Sequence, residues 1–301
     1  MFRPDMNKTL GRRNVPALGG IASIGSFMTA ISIFVIIIIF RTPMFQINYL
    51  LLSLLSLSLI AFIGVIDDVL LFPFRLLKPV LVLFACIPLM AANFPNNLIM
   101  HIPLLGQINL GIWYAFAFIP LIIIFTSNSV NILAGLDGLV PGLTSVMTAA
   151  LWIVSFMKGN MIAIIYFTIL LATQLVLFFY NKPPSKVFPG NIGTLFAGGA
   201  IAIGAIIANA ERALIILLIP YAIHFVFYCR NFFRFTPREM GVLKRDGTLK
   251  CPYEKCYGLT HVLMKYLKKP TETRIVWYLV LFEIIMAISV VLAEYFNIMF
   301  L

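Results

Sequence analysis

The chain has 301 residues, 61% of them hydrophobic and only 11% charged, with a mean hydropathy of +1.02. Such a composition excludes a soluble domain with a mixed charged surface. It indicates an all-α polytopic membrane protein, because backbone groups in lipid must bond within their own helix. The net charge of +11 is large for so few charged residues, so the positions of the Lys and Arg carry the topology.

The first sixteen residues are polar and basic and no apolar run precedes them, so no signal peptide is expected. Apolar spans are predicted over residues 18–40, 48–66, 79–92, 112–125, 143–157, 161–180, 195–208, 213–228 and 275–292, nine in all. The second ends in Asp67-Asp68. Residues 93–109, rich in Pro, Asn and Gly, read as an irregular or re-entrant excursion. Residues 181–194 form a second polar insertion with Pro183, Pro184 and Pro189. The small-residue span that follows, with Gly198-Gly199 and Gly204, predicts tight helix packing. The longest hydrophilic segment, 230–273, is a basic loop within what is expected to be one membrane-embedded domain covering 1–301. Cys86, Cys229, Cys251 and Cys256 form no paired framework and are expected to be reduced.

With the N-terminus on the cytoplasmic face, alternate loops on that face carry Arg3, Lys8, Arg12 and Arg13, then Arg75 and Lys78, then Lys182 and Lys186. Eleven more Lys or Arg follow between Arg230 and Arg274. The opposite face carries only Arg41, Lys158 and Arg212. This asymmetry puts Asp67-Asp68, Asn128 to Asp137, Lys182 to Asn191 and the basic loop on one face, together with the N-terminal segment.

The stretch from Thr126 to Gly142 stands out chemically. It places two Asn, one Asp, three Gly and a Pro between apolar segments and reads as a short loop at a membrane boundary. Polar groups there are costly unless they line a cavity or meet a ligand. An inter-helix loop with an Asn cap is the plain alternative. Two Asp at a helix end, a third Asp and several Asn make an oxygen-rich cluster suited to a hard cation such as Mg²⁺, which usually arrives with phosphate. Facing Lys and Arg would hold a polyanion, so phosphoryl transfer at a membrane surface is the implied chemistry. Attraction to anionic lipid explains the basic loops equally well, but not the Asp residues. No nucleic-acid partner is expected.

Five ordered motifs carry a family resemblance. They are Asn7-Lys8 with Pro16 and Gly19-Gly20; Gly64-Val65-Ile66-Asp67-Asp68-Val69; Asn128-x-x-Asn131-Ile132-x-Ala134-Gly135-Leu136-Asp137-Gly138-Leu139; Pro184-Ser185-Lys186-Val187-Phe188-x-Gly190-Asn191; and Pro237-Arg238. The chain resembles, over essentially its whole length, the polyprenyl-phosphate N-acetylhexosamine-1-phosphate transferase superfamily (glycosyltransferase family 4). It is most similar to the dolichyl-phosphate GlcNAc-1-phosphate transferases of archaea and eukaryotes. The His-rich last loop of the peptidoglycan branch is not present, since His224 and His261 are isolated.

The resemblance implies that a polyprenyl or dolichyl phosphate attacks the β-phosphate of a UDP-N-acetylhexosamine. The products are a polyprenyl-diphosphate-sugar and UMP, with Mg²⁺ (or Mn²⁺) as cofactor, in the first membrane step of N-glycan-type assembly. Asp67, Asp68 and Asp137 would be catalytic, although the lipid phosphate is itself a competent nucleophile near neutral pH. Asn7, Lys8, Arg75, Lys78, Asn128, Asn131, Gly135, Lys186, Arg234 and Arg238 would bind substrate. Asp137, Asn131 and Asn191 would hold the metal. Arg suits the diphosphate because its fork pairs oxygens bidentately.

Two departures from the family pattern matter. Asn191 stands where relatives have an Asp metal ligand, which removes one negative charge. The family also usually has ten spans, and here the sequence starts inside the first cytoplasmic loop, so either the first helix of the ten is absent or the start is assigned late. The alternatives are a peptidoglycan- or teichoic-acid-type sugar phosphotransferase, a non-catalytic relative, or a transporter of a phosphorylated solute, which would show repeat symmetry between halves. By analogy, an archaeal cell membrane is favoured over the endoplasmic reticulum because the chain is compact and its last loop carries no long insertion. A homodimer is the assembly common in the superfamily. Glu283, near the middle of the last span, is expected to face protein or a lipid-phosphate groove.

Overall fold

The computed structural model describes residues 2–4, 14–39, 44–72, 76–93, 99–102, 106–230 and 240–296. The architecture is helical. In chain order the helices are α1 (Gly19–Ile38), α2 (Met44–Leu70), α3 (Leu77–Ala85), α4 (Ile87–Asn93), α5 (Ile119–Leu133), α6 (Leu139–Met157), α7 (Met161–Asn181), α8 (Gly190–Ile207), α9 (Glu211–Leu217), α10 (Ile219–Cys229), α11 (Leu259–Tyr266) and α12 (Glu272–Tyr295). Helix α5 is entered through a π-helical turn, Tyr114–Phe118. Three short antiparallel ribbons complete the described chain: β1 (Phe2–Pro4) with β2 (Asn14–Pro16), β3 (Ile99–Ile102) with β4 (Gly106–Asn109), and β5 (Val242–Leu243) with β6 (Leu249–Lys250).

Among the described residues, seven helical segments are long and apolar enough to cross a membrane, and the chain is a multi-pass membrane protein. Nine unbroken spans were expected, and the difference has a local cause. The predicted span 79–92 is part of a shorter apolar segment, Leu77–Ala92, that breaks at Cys86. The predicted span 213–228 is bent by 52° between α9 and α10 and makes an eighth crossing if the pair is one span. In each case a proline, Pro88 or Pro220, follows the break by two residues. Proline lacks the N–H and crowds the preceding turn, so the helix restarts there. The excursion predicted over 93–109 contains the β3–β4 hairpin.

Helix α8 is the centre of the bundle, and every residue from Ile192 to Ile207 is buried. It packs on α2, α5, α1 and α7. Lipid tails are as apolar as these side chains, so close van der Waals approach holds the helices together rather than hydrophobic burial alone. A Cβ on Gly198 would lie 2.6 Å from Ser127 Cα and 2.7 Å from Thr126 O, so the backbones of α8 and α5 are in direct contact. On α2, a Cβ on Gly64 would lie 2.5 Å from Ile192 Cα. Gly198→Ala is therefore expected to destabilise the protein by about 1–3 kcal/mol, the range for overpacking a filled core. Thermal unfolding in detergent checks this, and an unchanged midpoint would mean that the helices separate more easily than their contact implies.

Several hydroxyl side chains inside the bundle are satisfied locally. Thr126 and Ser127 donate to the carbonyls of Ile122 and Ile123, and Thr144, Ser145, Thr148 and Ser155 likewise bond four residues back. At the end of the bundle remote from Asp67, Tyr114 Oη donates to Glu211 Oε1 at 2.5 Å. Nearby, Lys158 Nζ donates to Asn209 O at 2.6 Å and lies 3.6 Å from Glu294. Glu283 is fully buried in α12, so it faces protein, as expected.

Candidate active site

The last two turns of α5 carry Thr126 to Leu133 in helical form, where the sequence predicted a loop. The reason is local satisfaction. Asn128 Nδ2 donates to Ile124 O at 2.9 Å, and Thr126 and Ser127 bond back along the helix, so the polar run needs no loop. Only residues 134–138 leave the helix before α6 begins. Gly135 sits at φ +141° beneath Met240, whose side chain occupies the space a Cβ would take.

This short turn is held from three directions. Gly138 N donates to Asn181 Oδ1 at 2.9 Å, and Asn181 Nδ2 donates to Ser185 Oγ and Val187 O. Asp137 Oδ2 accepts from Ser185 N at 3.1 Å, while Asp137 N donates to Glu272 Oε1 at 2.8 Å at the start of α12. The ends of α5, α7 and α12 are thereby locked around Asp137, which is buried at 3% exposure.

Asp67 and Asp68, adjacent in sequence, do different things. Asp68 is fully buried. Its Oδ1 and Oδ2 accept from Asn191 N and Ile192 N, each at 3.0 Å, clamping the end of α2 to the N-terminus of α8. A carboxylate there also meets the positive end of the α8 dipole. The chain can turn close against it because residue 190 is glycine, at φ +69°. A Cβ there would lie 2.6 Å from Asp68 Oδ2 and 2.5 Å from Ala17 O. Asp67 Oδ1 accepts from Phe72 N at 3.2 Å, closing the C-terminus of α2, and Oδ2 pairs with Lys78 Nζ at 2.6 Å.

Lys78, in the first turn of α3, also donates to Asn131 Oδ1 at 3.4 Å. Asn131 Nδ2 donates to Asn191 Oδ1 at 2.8 Å and to Thr194 Oγ1 at 2.7 Å. A continuous polar chain thus runs from Asp67 through Lys78 and Asn131 to Asn191 and Thr194. Its far end lines a cavity of about 380 Å³ together with Gly135, Asp137 and Asn181, with Met240 at the side. Asp137 is the only acid in that lining among the described residues.

The structure therefore brings together Asn131, Gly135, Asp137 and Asn191 at the cavity, with Lys78 one link and Asp67 two links away. Asp68 lies behind α8's first turn and does not line the cavity, and neither does Asn128. Lys186 is exposed and also outside the lining. Asn7, Lys8, Arg75, Arg234 and Arg238 lie outside the described residues. Asn181, Ser185, Thr194, Met240 and Glu272 emerge only in three dimensions. Asn181 and Ser185 had a signal, since they fall in the polar insertion after α7, but Glu272 looks in sequence like any acid in a helix's first turn.

The donor set suits a hard cation. Asp137, the amide of Asn191 and the Thr194 hydroxyl are oxygen-bearing groups in the cavity lining. No group of three His, Cys, Asp or Glu able to hold a metal occurs among the described residues. One protein carboxylate with neutral oxygens matches Mg²⁺, which takes few carboxylates, keeps water and shares the substrate's phosphates.

Fold and cavity together define a polytopic membrane protein with a largely apolar cavity at one end of its helix bundle, into which Asn131, Asp137, Asn181, Asn191 and Thr194 set polar groups. Residues 49–209 match the profile of glycosyl transferase family 4, and the chain belongs to that family. A protein of Saccharolobus solfataricus with the provisional name UDP-N-acetylglucosamine–dolichyl-phosphate N-acetylglucosaminephosphotransferase is 34% identical over 265 residues, 87% of this chain and 78% of its own. A protein of Sulfolobus acidocaldarius with the same provisional name is 32% identical over 292 residues, 96% of this chain and 87% of its own. A phospho-N-acetylmuramoyl-pentapeptide-transferase of Chlamydia muridarum is 36% identical over 140 residues, 44% of this chain and 42% of its own.

Proposed function

We propose that the protein transfers N-acetylglucosamine-1-phosphate from UDP-GlcNAc to a polyprenyl or dolichyl phosphate, releasing UMP. The observation that carries this reading is the convergence of Asp137, Asn131 and Asn191 on one cavity beside the Asp67–Lys78 pair, in a chain aligned over most of its length with relatives of that name. The peptidoglycan-type relative aligns over less than half of the chain, which favours the dolichyl branch. The site would face the cytoplasm, where UDP-sugars are made, in an archaeal cell membrane. A homodimer is proposed on the superfamily resemblance alone.

In this scheme an oxygen of the lipid phosphate forms a bond to the β-phosphorus of the UDP-sugar as the bond to the α-phosphate oxygen breaks. Such transfers depend on positioning and charge neutralisation. Lys78 supplies a fixed positive charge for a phosphate, and Asp67 and Asn131 hold its ammonium in place. Asp137, Asn191 and Thr194 would hold Mg²⁺, which when bound neutralises diphosphate charge. Asn181 and Ser185 keep the Asp137 turn rigid, and Met240 limits water entry above Gly135. Asp68 serves here as a positioning residue for α8.

The direct test is transfer of radiolabelled GlcNAc-1-phosphate to a short polyprenyl phosphate by purified protein, with and without Mg²⁺. Mg²⁺-dependent product with UMP as the leaving nucleotide is expected, whereas release of UDP would overturn the reaction assigned. Asn191→Asp is expected to lower the Mg²⁺ concentration for half-maximal activity about tenfold, since site charge tunes affinity. An Asp oxygen can still accept the Asn131 amide, so geometry is kept. An unchanged Mg²⁺ dependence would remove Asn191 from the metal site.

A further inference from the structure

A second cavity of about 440 Å³ lies in the segment between residues 240 and 271. Its rim carries Lys244, Lys250, Lys268 and Lys269, and its floor is formed by Leu249 and Met264, both buried. Asp246 is the one acid among its lining residues. It is occupied locally, since its Oδ1 accepts from Thr248 Oγ1 at 2.7 Å and Thr248 N at 3.0 Å. Those bonds, the side-chain one foremost, hold its carboxyl below the usual range, so it shapes the β5–β6 turn as an anion already engaged. Four ammonium groups over an apolar floor remain, with a net positive charge.

The position of this cleft restricts what can fill it. Lys268, Lys269 and Pro270 immediately precede α12, a membrane span that starts at Glu272, so the cleft lies beside the first turn of a span. Tyr266, 81% exposed, and Trp277, 58% exposed, flank the same point, as aromatic residues do at a membrane–water interface. A lysine cluster at the head of a membrane span is the arrangement that attracts the anionic headgroups of neighbouring lipids.

We infer that this cleft binds the phosphate headgroup of an anionic membrane lipid, separately from the catalytic cavity. The structure also links the two sites. Leu249 N donates to Pro270 O at 2.7 Å, tying the cleft's ribbon to the start of α12. Two residues further on, Glu272 accepts from Asp137 N. On the other side, a Cβ on Gly241 would lie 3.0 Å from the cleft residue Met264, and the neighbouring Met240 lines the catalytic cavity over Gly135. A lipid in the cleft therefore steadies both the Met240 wall and the Asp137 turn.

Binding can be read without catalysis, so the result does not depend on the transferase assignment. The full chain in detergent is titrated with phosphatidylglycerol, with phosphatidylcholine as the neutral control, and retained lipid is counted by native mass spectrometry. Inorganic phosphate and UMP serve as competitors. The variants are Lys244→Gln/Lys268→Gln/Lys269→Gln and the matching triple Arg variant. Phosphatidylglycerol affinity is expected to fall about a hundredfold in the Gln variant, roughly fivefold for each lysine, and to persist in the Arg variant. Equal affinity in the Gln variant and the parent would overturn the proposal. Displacement of the lipid by inorganic phosphate or UMP would overturn it too, marking the cleft as a soluble-anion site. In nanodiscs of equimolar phosphatidylcholine and phosphatidylglycerol, the parent is expected to outpace itself in pure phosphatidylcholine, and the Gln variant to lose that difference.

Discussion

Asp137→Asn is expected to lower the transfer rate about 10²–10³-fold, the scale seen when one preorganised charge-stabilising group is removed from an active site. The substitution is nearly isosteric. An amide oxygen at position 137 can still accept from Ser185 N, and the backbone bond to Glu272 is untouched, so the turn between α5 and α6 should survive. What disappears is the only negative charge that the described residues bring to the cavity lining. The loss should therefore fall on kcat and on the Mg²⁺ requirement, with little change in the thermal unfolding midpoint. Single-turnover transfer measured across a Mg²⁺ titration separates the two. A variant that transfers at the parental rate would exclude Asp137 from the chemistry and leave the cavity without a charged participant.

Much of this site could be read from the sequence because its residues occur in short local patterns. Asn131, Gly135 and Asp137 lie within seven residues, and their polarity between apolar spans marks them as costly unless used. The helix-to-loop assignment failed there because back-bonding by Thr126, Ser127 and Asn128 lets polar residues end a helix quietly, which hydropathy does not register. The span count failed at Pro88 and Pro220 for a related reason, since a broken helix and a whole one have the same apolar content. Contacts between distant segments were not readable at all. Glu272 reaches Asp137 across 135 residues of chain, and the small residues of α8 predicted close packing without naming Ser127 as the surface met by Gly198. Family resemblance supplied the role of Asp67-Asp68 as a pair, but it could not divide the labour between them. That division depends on helix phase, which turns Asp67 toward Lys78 and Asp68 toward the first turn of α8.

The division leads to the other large effect. Asp68→Ala is expected to cost about 3–6 kcal/mol of stability, because it removes two hydrogen bonds from a charged acceptor and strands two backbone N–H groups. Asn191 N and Ile192 N lie in the first turn of α8, where an N–H has no intrahelical acceptor, and α8 is the helix around which the bundle is packed. Activity should then be lost in step with unfolding. Asp68→Asn, which keeps one acceptor oxygen, should lose less on both counts. At a temperature where that variant remains folded, its Mg²⁺ dependence should match that of the parent, since Asp68 acts on the site only through the placement of Asn191 and Thr194. A stably folded Asp68→Asn protein with transfer abolished would show instead that the second carboxylate of the pair takes part in the reaction itself. The α8 clamp would then be a consequence of where the chemistry needs that residue.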